Sequence, residues 1–312
     1  MAKRKKISSV FISLFLFVLV GCIAITLSSY NLLPGNIPTW DDILGKTEVP
    51  TAVITDGGDA VHFIDCWQGD SAVIMSDNTV TVIDAGPGKY ANDVVDYLKQ
   101  QNITKIDNLI LTHPHEDHIG GADDVVKSFE VGKVYMKKPS KGNEPTSKTY
   151  ENLLKAISAK QLKITDPAVD STISAGNFTL KVLGPLKDYD DYNENSIIIK
   201  AEYNDISFVF TGDAEKGSEA DLVKTYGNQL NADVLKVGHH GSSTSSSKSF
   251  IAKVKPSYAI ISCGADNSYN HPHSEAVNTL KDTNAKIYRT DLSGNIVVKT
   301  DGKAVEILTE KK

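Results

Sequence analysis

The chain has 312 residues, 40% hydrophobic and 23% charged, with 22 Gly, 11 Pro and 3 Cys. That composition excludes a disordered tail, a collagen-like fibre, a disulfide scaffold and a polytopic membrane protein, and the length suffices for a substantial core in one large domain or two small ones. The net charge is −6, yet Lys3, Arg4, Lys5 and Lys6 stand in a start free of Asp and Glu, so the rest carries 29 cations against 39 anions, or −10. Such a body repels polyanions except where a local basic patch meets them.

Behind the basic start, residues 7–27 are 21 uncharged positions, the length of a helix crossing a hydrocarbon layer of about 30 Å. Two readings stay open, an uncut membrane anchor and a lipoprotein signal. Leu19-Val20-Gly21-Cys22 has the form of a lipobox, but Ile23, Ala24, Ile25 and Leu27 carry the apolar run past the cysteine. A fully cleaved secretory signal is a third option. In the first two, the basic end stays in the cytoplasm and the body is an extracellular domain on the outer face of the cytoplasmic membrane. Residues 28–50, with Pro34, Gly35, Pro38 and Pro50, read as a linker, and 51–312 as a single domain.

From residue 51 strand-like and helix-like patterns alternate. Strands are expected at 61–64, 71–75 and 79–83, the last two joined by a turn at Asp77-Asn78. A helix over 90–101 buries Val94, Val95 and Leu98, an apolar strand follows at 108–112, and helices at 122–129 and 148–160. A second hairpin pairs 195–202 with 206–211. Helix 215–226, strand 233–237, helix 247–254, strand 258–262, helix 274–283 and strand 286–289 complete the series before a last hairpin at Asp301-Gly302. Two sets of strands, each followed by helices, predict an α/β domain of two packed sheets with helices outside, a four-layer αββα sandwich.

His113-Pro114-His115-Glu116-Asp117-His118 follows the strand at 108–112 directly. A strand ending in a tight loop with three imidazoles and a carboxylate can turn four ligands to one side, a donor set suited to Zn²⁺, Mn²⁺ or Fe²⁺. Packing so many titratable groups together is costly unless a cation compensates. Asp213 follows the apolar stretch 208–210, and His240 follows strand 233–237, so both are expected to emerge at strand ends near this loop.

With these residues the sequence resembles the metallo-β-lactamase fold superfamily, more narrowly the hydrolase domain at the C-terminus of ComEC-type competence proteins. The matching positions run in order over about residues 60–308 and include Gln68-Gly69-Asp70-Ser71, Val82-Ile83-Asp84-Ala85-Gly86, the HxHxDH loop, Asn195-Ser196 and Thr211-Gly212-Asp213-Ala214-Glu215. The series ends with Lys236-Val237-Gly238-His239-His240-Gly241-Ser242 and His271-Pro272-His273. The resemblance implies one or two divalent ions, Zn or Mn. His113 and His115 would hold one ion, Asp117, His118 and His240 the other, and Asp213 would bridge them, with water activated between. It assigns His271 to proton donation or phosphate contact and Asp84 to orienting the metal loop. Asp117, Asp213 and His271 are the expected catalytic residues. His239 and His240 cannot be told apart by sequence; His240 is taken as the ligand. One departure is plain: residues 119–212 contain no His. Where most binuclear members place one, Asn195-Ser196 stands, and a carboxamide oxygen is a weaker ligand.

Other features carry two readings each. Trp67 stands where the family has Gly, either narrowing the substrate mouth or packing in the core. The serine-rich run 242–247 either holds a phosphate or caps the next helix. Residues 131–165 hold eight Lys and two Glu, either a polyanion contact or a solvated face. Cys66 and Cys263 are free thiols or a bridge. The leading expectation is a tethered, outward-facing metal-dependent hydrolase of phosphodiesters, DNA among them, with the membrane as its other partner and no protein partner evident. Alternatives are a cell-surface phosphodiesterase such as a phosphorylcholine esterase, and a non-catalytic surface binding module.

Overall fold

The structure, a computed structural model, describes residues 58–311; the anchor and linker expected at 1–50 lie outside them. Among the described residues no helix is long and apolar enough to cross a membrane.

The first half of the fold runs β1 (Ala60–Phe63), β2 (Ala72–Ser76), β3 (Thr79–Ile83), α1 (Ala91–Gln100), β4 (Lys105–Leu111), α2 (Glu116–Ile119), α3 (Ala122–Ser128), β5 (Glu130–Met136), α4 (Lys148–Ala159) and β6 (Ile164–Thr165). The second runs β7 (Thr172–Ala175), β8 (Phe178–Gly184), β9 (Ile198–Tyr203), β10 (Ile206–Phe210), α5 (Lys216–Tyr226), β11 (Val234–Lys236), α6 (Lys248–Val254), β12 (Tyr258–Ile261), α7 (Ser274–Lys281) and β13 (Lys286–Arg289). A short α8 (Thr290–Ser293) then leads into β14 (Ile296–Thr300) and β15 (Val305–Thr309), which return to the first sheet.

One sheet has the order β15-β14-β1-β2-β3-β4-β5-β6 and the other β13-β12-β11-β10-β9-β8-β7. Both are mixed: β3, β4 and β5 run parallel, as do β10 to β13, while the hairpins are antiparallel. Asp77 and Asn78 both take positive φ at the β2–β3 turn, the conformation that suits a two-residue hairpin and that Asn and Asp tolerate.

Apolar side chains divide into three layers. Phe63, Ile74, Phe178, Phe208 and Phe210 fill the space between the sheets. Val94, Leu98, Val125 and Leu153 pack α1, α3 and α4 on the first sheet, and Leu222, Phe250, Ile251 and Leu280 pack α5, α6 and α7 on the second. Leu109, Ile110 and Leu111 of β4 are all fully buried, as expected of a parallel strand covered on both faces. The αββα sandwich is therefore present.

Besides the two-residue β6, three strands have no clear sequence signal. In β5 Gly132 and Lys133 interrupt the apolar pattern, and β7 and β8 alternate too briefly to stand out. Strand β9 starts at Ile198 rather than 195, because Asn195 and Ser196 belong to the preceding loop.

Candidate metal centre

Four strand ends meet at one edge of the sandwich. Strand β4 delivers Thr112 and the HxHxDH loop, β3 delivers Asp84, β10 delivers Asp213, and β11 delivers His239 and His240. Close backbone approaches lock these loops together. Gly69 lies so near the HxHxDH loop that an added Cβ would meet the Asp117 carbonyl at 2.5 Å, and the Asp70 N–H donates to that same carbonyl at 3.1 Å. Gly212 has φ +51°, and a Cβ there would meet Ser196 Oγ at 2.9 Å; only glycine takes this turn cheaply in so tight a space. The turn aims Asp213 inward rather than onto helix α5, whose N-cap is Glu215.

The predicted ligands converge on Asp213, whose carboxylate is buried. Its Oδ1 lies 3.2 Å from His118 Nε2, and its Oδ2 lies 3.7 Å from His240 Nε2 and 3.9 Å from His113 Nε2. Asp117 Oδ2 is 3.1 Å from His240 Nε2 and 4.0 Å from His118 Nε2. Ligand atoms of Asp117, His118, Asp213 and His240 all fall within 4.8 Å of one another. His115 is half-buried, its Nδ1 3.0 Å from His113 Nε2.

His118 Nε2 and Asp213 Oδ1 are buried and make no hydrogen bond, which is costly for polar atoms unless something else engages them. Imidazole nitrogens and carboxylate oxygens are the donors that divalent transition ions take. The residues present therefore fit a metal.

Outer partners fix the imidazoles. The Asp84 carboxylate accepts from the Thr112 N–H at 2.8 Å, the Thr112 hydroxyl at 2.7 Å and His118 Nδ1 at 2.8 Å, which leaves His118 Nε2 turned to the centre. His240 Nδ1 donates to the Ser262 carbonyl at 3.0 Å, so its Nε2 likewise faces inward. His239 and His240 both take positive φ, a strained pair of the kind found where backbone geometry serves a site. His240 is buried within the four-residue cluster, whereas His239 is partly exposed and bonds Thr244 and Glu215 through Nδ1. His239 Nε2 still reaches to 3.7 Å from Asp213 Oδ2.

Burial opposes charge on His118 and His240, but the carboxylates around them outweigh it. Asp213, Asp84 and Asp117 hold His118 well above its ordinary value, and Asp213 and Asp70 push His240 up to about 10. His113 goes the other way, lowered by burial and by the neighbouring His118. A negative potential that retains protons so strongly would also attract a divalent cation.

Several expectations change here. For His271, expected to donate a proton or contact phosphate, burial and the neighbouring His240 lower the ring to about 4. At pH 7 it is neutral. Gln68 Oε1 accepts from the Gly264 N–H, so its amide Nε2 donates to His271 Nδ1 at 3.3 Å and the ring proton sits on His271 Nε2. Asn195 does not replace the missing imidazole: its Oδ1 accepts from the Tyr189 N–H and its amide donates to the Tyr189 and Asp191 carbonyls. Ser196 is the residue that enters, with Oγ 3.4 Å from His113 Nδ1 and 3.1 Å from the Asp213 N–H. In the serine run, the N–H groups of Ser246 and Ser247 are taken by the buried Glu219 carboxylate, and Ser247 caps α6. Cys66 and Cys263 are both free and buried. Trp67 is 38% exposed and stacks on Tyr90, so it is not a core residue.

Lys236 is absent from the expected site. It is buried within β11, with Nζ 2.7 Å from Asp70 Oδ2, and Asp70 Oδ1 is 3.3 Å from His240 Nδ1. Its signal was a lysine inside the apolar run Val234-Leu235-Lys236-Val237. Asp70, Asp84 and His118 also converge, but the Lys236 ammonium already supplies the cation on that side.

Residues 64–265 match the sequence model of the Metallo-beta-lactamase superfamily. The chain belongs to that superfamily. ComE operon protein 3 of Bacillus subtilis (strain 168) is 31% identical over 255 residues, which are 76% of this chain and 32% of that protein. Competence protein ComA of Neisseria gonorrhoeae is 31% identical over 284 residues, 89% of this chain and 38% of that one. The chain thus spans about a third of the length of these curated relatives, and the expected likeness to competence proteins holds. The solved metallo-beta-lactamase fold protein YhfI from Bacillus subtilis matches with a TM-score of 0.51 at 14% identity over 77% of this chain and 98% of that one, a likeness of fold. Superfamily membership together with the His and Asp cluster makes this a metal-dependent hydrolase in the general sense, using divalent ions.

Proposed function

We propose that the chain is a phosphodiesterase acting on DNA, tethered by residues 1–27 to the outer face of the membrane. The observation that carries the reading is the buried Asp213 carboxylate, approached from several sides by His113, His118 and His240 within 3.2–3.9 Å. His113, His115 and Asp213 would hold one ion, and Asp117, His118, Asp213 and His240 a second. Bound divalent ions supply Lewis acidity and an activated water suited to displacement at phosphorus. The protein's own part is to orient ligands through Asp84 and Asp70 and to present the His271 Nε2–H as a neutral donor beside His240, whose ring centre is 6.1 Å away. Relatives named for competence support DNA as the substrate class, and the uncharged run behind Lys3–Lys6 supports the tether.

The test is hydrolysis of bis(p-nitrophenyl) phosphate by the full chain supplied with Mn²⁺ or Zn²⁺. Turnover is expected with the native sequence and none above buffer with Asp213→Ala, circular dichroism being unchanged. Equal turnover by the two proteins would refute the role given to Asp213.

A further inference from the structure

Between β8 and β9 the chain passes the metal centre without offering it an imidazole, since residues 119–212 contain no His. What it offers is a set of hydrogen bonds to the segment that carries Asp213. The turn is tight: the Asn195 N–H donates to the Tyr192 carbonyl at 3.1 Å and the Ser196 N–H to the Asn193 carbonyl at 3.0 Å. Three side chains of this turn reach the same segment. Ser196 Oγ accepts from the Asp213 N–H at 3.1 Å, the Asn193 amide donates to Glu215 Oε1 at 3.4 Å, and the half-buried Glu194 meets the start of α5.

Glu194 makes the most bonds of the three. Its Oε2 accepts from the N–H groups of Glu215 at 3.2 Å and Ser218 at 2.7 Å, and its Oε1 from that of Gly217 at 3.0 Å. The first N–H groups of a helix find no partner within it, and the N-cap residue Glu215 makes no capping bond of its own. A carboxylate at the positive end of a helix is held by charge as well as by its hydrogen bonds. The approach leaves no space for a side chain: a Cβ on Gly217 would meet Glu194 Oε1 at 2.5 Å. The carboxylate is the flexible partner in that clash, so it is the one to leave.

The consequence for the centre runs through Ser196, two residues on. Its hydroxyl stands between the Asp213 N–H and His113 Nδ1, the latter at 3.4 Å. The far side of the same segment is held separately, by Ser245 Oγ on the Ala214 carbonyl at 2.7 Å and the His239 N–H on the Gly212 carbonyl at 3.2 Å. Losing Glu194 therefore loosens the Asp213 turn without releasing it. We propose that Glu194 is a positioning residue: by clamping its loop to the start of α5 it keeps Ser196 on Asp213 and His113, and so sets the aim of the carboxylate on the His113 side. The proposal rests on the metal centre of the hydrolase reading and not on its substrate.

The test is Mn²⁺ titration of the full chain, with free and bound ions distinguished by electron paramagnetic resonance. Glu194→Ala should weaken binding at the His113 side about tenfold, the low end of what losing a residue behind metal ligands does. Binding at His118 and His240, whose rings Asp84 and Ser262 hold, should stay near the native affinity. Gly217→Ala keeps Glu194 but evicts its carboxylate, and alanine suits a helical position better than glycine. The same weakening is therefore expected beside native-like urea unfolding of the metal-free chain. Glu194→Gln, whose carbonyl oxygen still accepts from Glu215 and Ser218, should lie closer to the native chain. Native affinity in Glu194→Ala, or in Gly217→Ala should the first variant not fold, overturns the assignment, as does equal weakening on both sides of Asp213. A native chain that binds no metal fails the hydrolase reading and the proposal together; a variant that binds as the native chain does fails the proposal alone.

Discussion

On one side of Asp213 the imidazoles of His118 and His240 each have a fixed acceptor behind them; on the other, His113 and His115 lean chiefly on each other. Asp84 grips His118 while held by the amide and hydroxyl of Thr112. Ser262 and Asp70 grip His240, and Lys236 holds Asp70. His113 Nδ1 has only the hydroxyls of Thr112 at 3.2 Å and Ser196 at 3.4 Å, which rotate, and its Nε2 faces His115 Nδ1 at 3.0 Å. Two nitrogens sharing a proton cannot both offer lone pairs to a cation. The His118–His240 half is thus fixed in position, and its rings need only release the protons that the carboxylates hold on them, whereas the His113–His115 half must open before it binds. Two divalent ions are therefore expected to bind in two separate steps, the His118–His240 half filling first.

The largest effect should come from cutting the support behind His240. Lys236→Met leaves Asp70 as a buried carboxylate without its ammonium, and removing one partner of such a pair costs roughly 3–5 kcal/mol. Urea unfolding should show that loss, with much of it recovered in the double variant Lys236→Met/Asp70→Asn. A change below about 1 kcal/mol, no more than an exposed pair gives, would mean that this half is not braced through Lys236.

A smaller loss is expected at Asp84. Asn tolerates the positive φ that Asp84 adopts, so Asp84→Asn should fold, while its amide no longer accepts both the Thr112 and His118 protons. Outer-shell changes of this kind lower metal affinity by about 10–100-fold. In a chelator competition the tighter binding step should weaken by that factor and the looser step stay where it is. Weakening of both steps together would erase the contrast between the halves.

Much of this was legible in the sequence, because the centre is built at the ends of strands that announce themselves. The apolar run at 108–112 and the imidazoles after it give the β4 loop at once, and Asp213 and His240 follow strands of similar clarity. What was not legible depends on contacts across the chain. Strand β5 is buried by parallel pairing to β4 rather than by its own pattern. The pairing of Lys236 with Asp70 joins residues 166 positions apart in sequence. The low proton affinity of His271 comes from burial and from His240 and His239 beside it, none of which local sequence displays.

The smallest effect concerns Asn195, which by its place in the chain stands for a ligand and by its bonds does not. All its side-chain hydrogen bonds return to its own loop, at Tyr189 and Asp191. Asn195→Ala should therefore leave metal stoichiometry, measured by elemental spectrometry, unchanged. Stability should fall by about 1 kcal/mol in thermal or urea unfolding, in line with the net worth of ordinary hydrogen bonds in a partly solvated loop. Loss of one equivalent of metal would instead make the carboxamide a ligand that turns inward when the cation arrives. The weaker half of the centre would then owe its looseness to that rearrangement, and not to the hydroxyl-only support of His113.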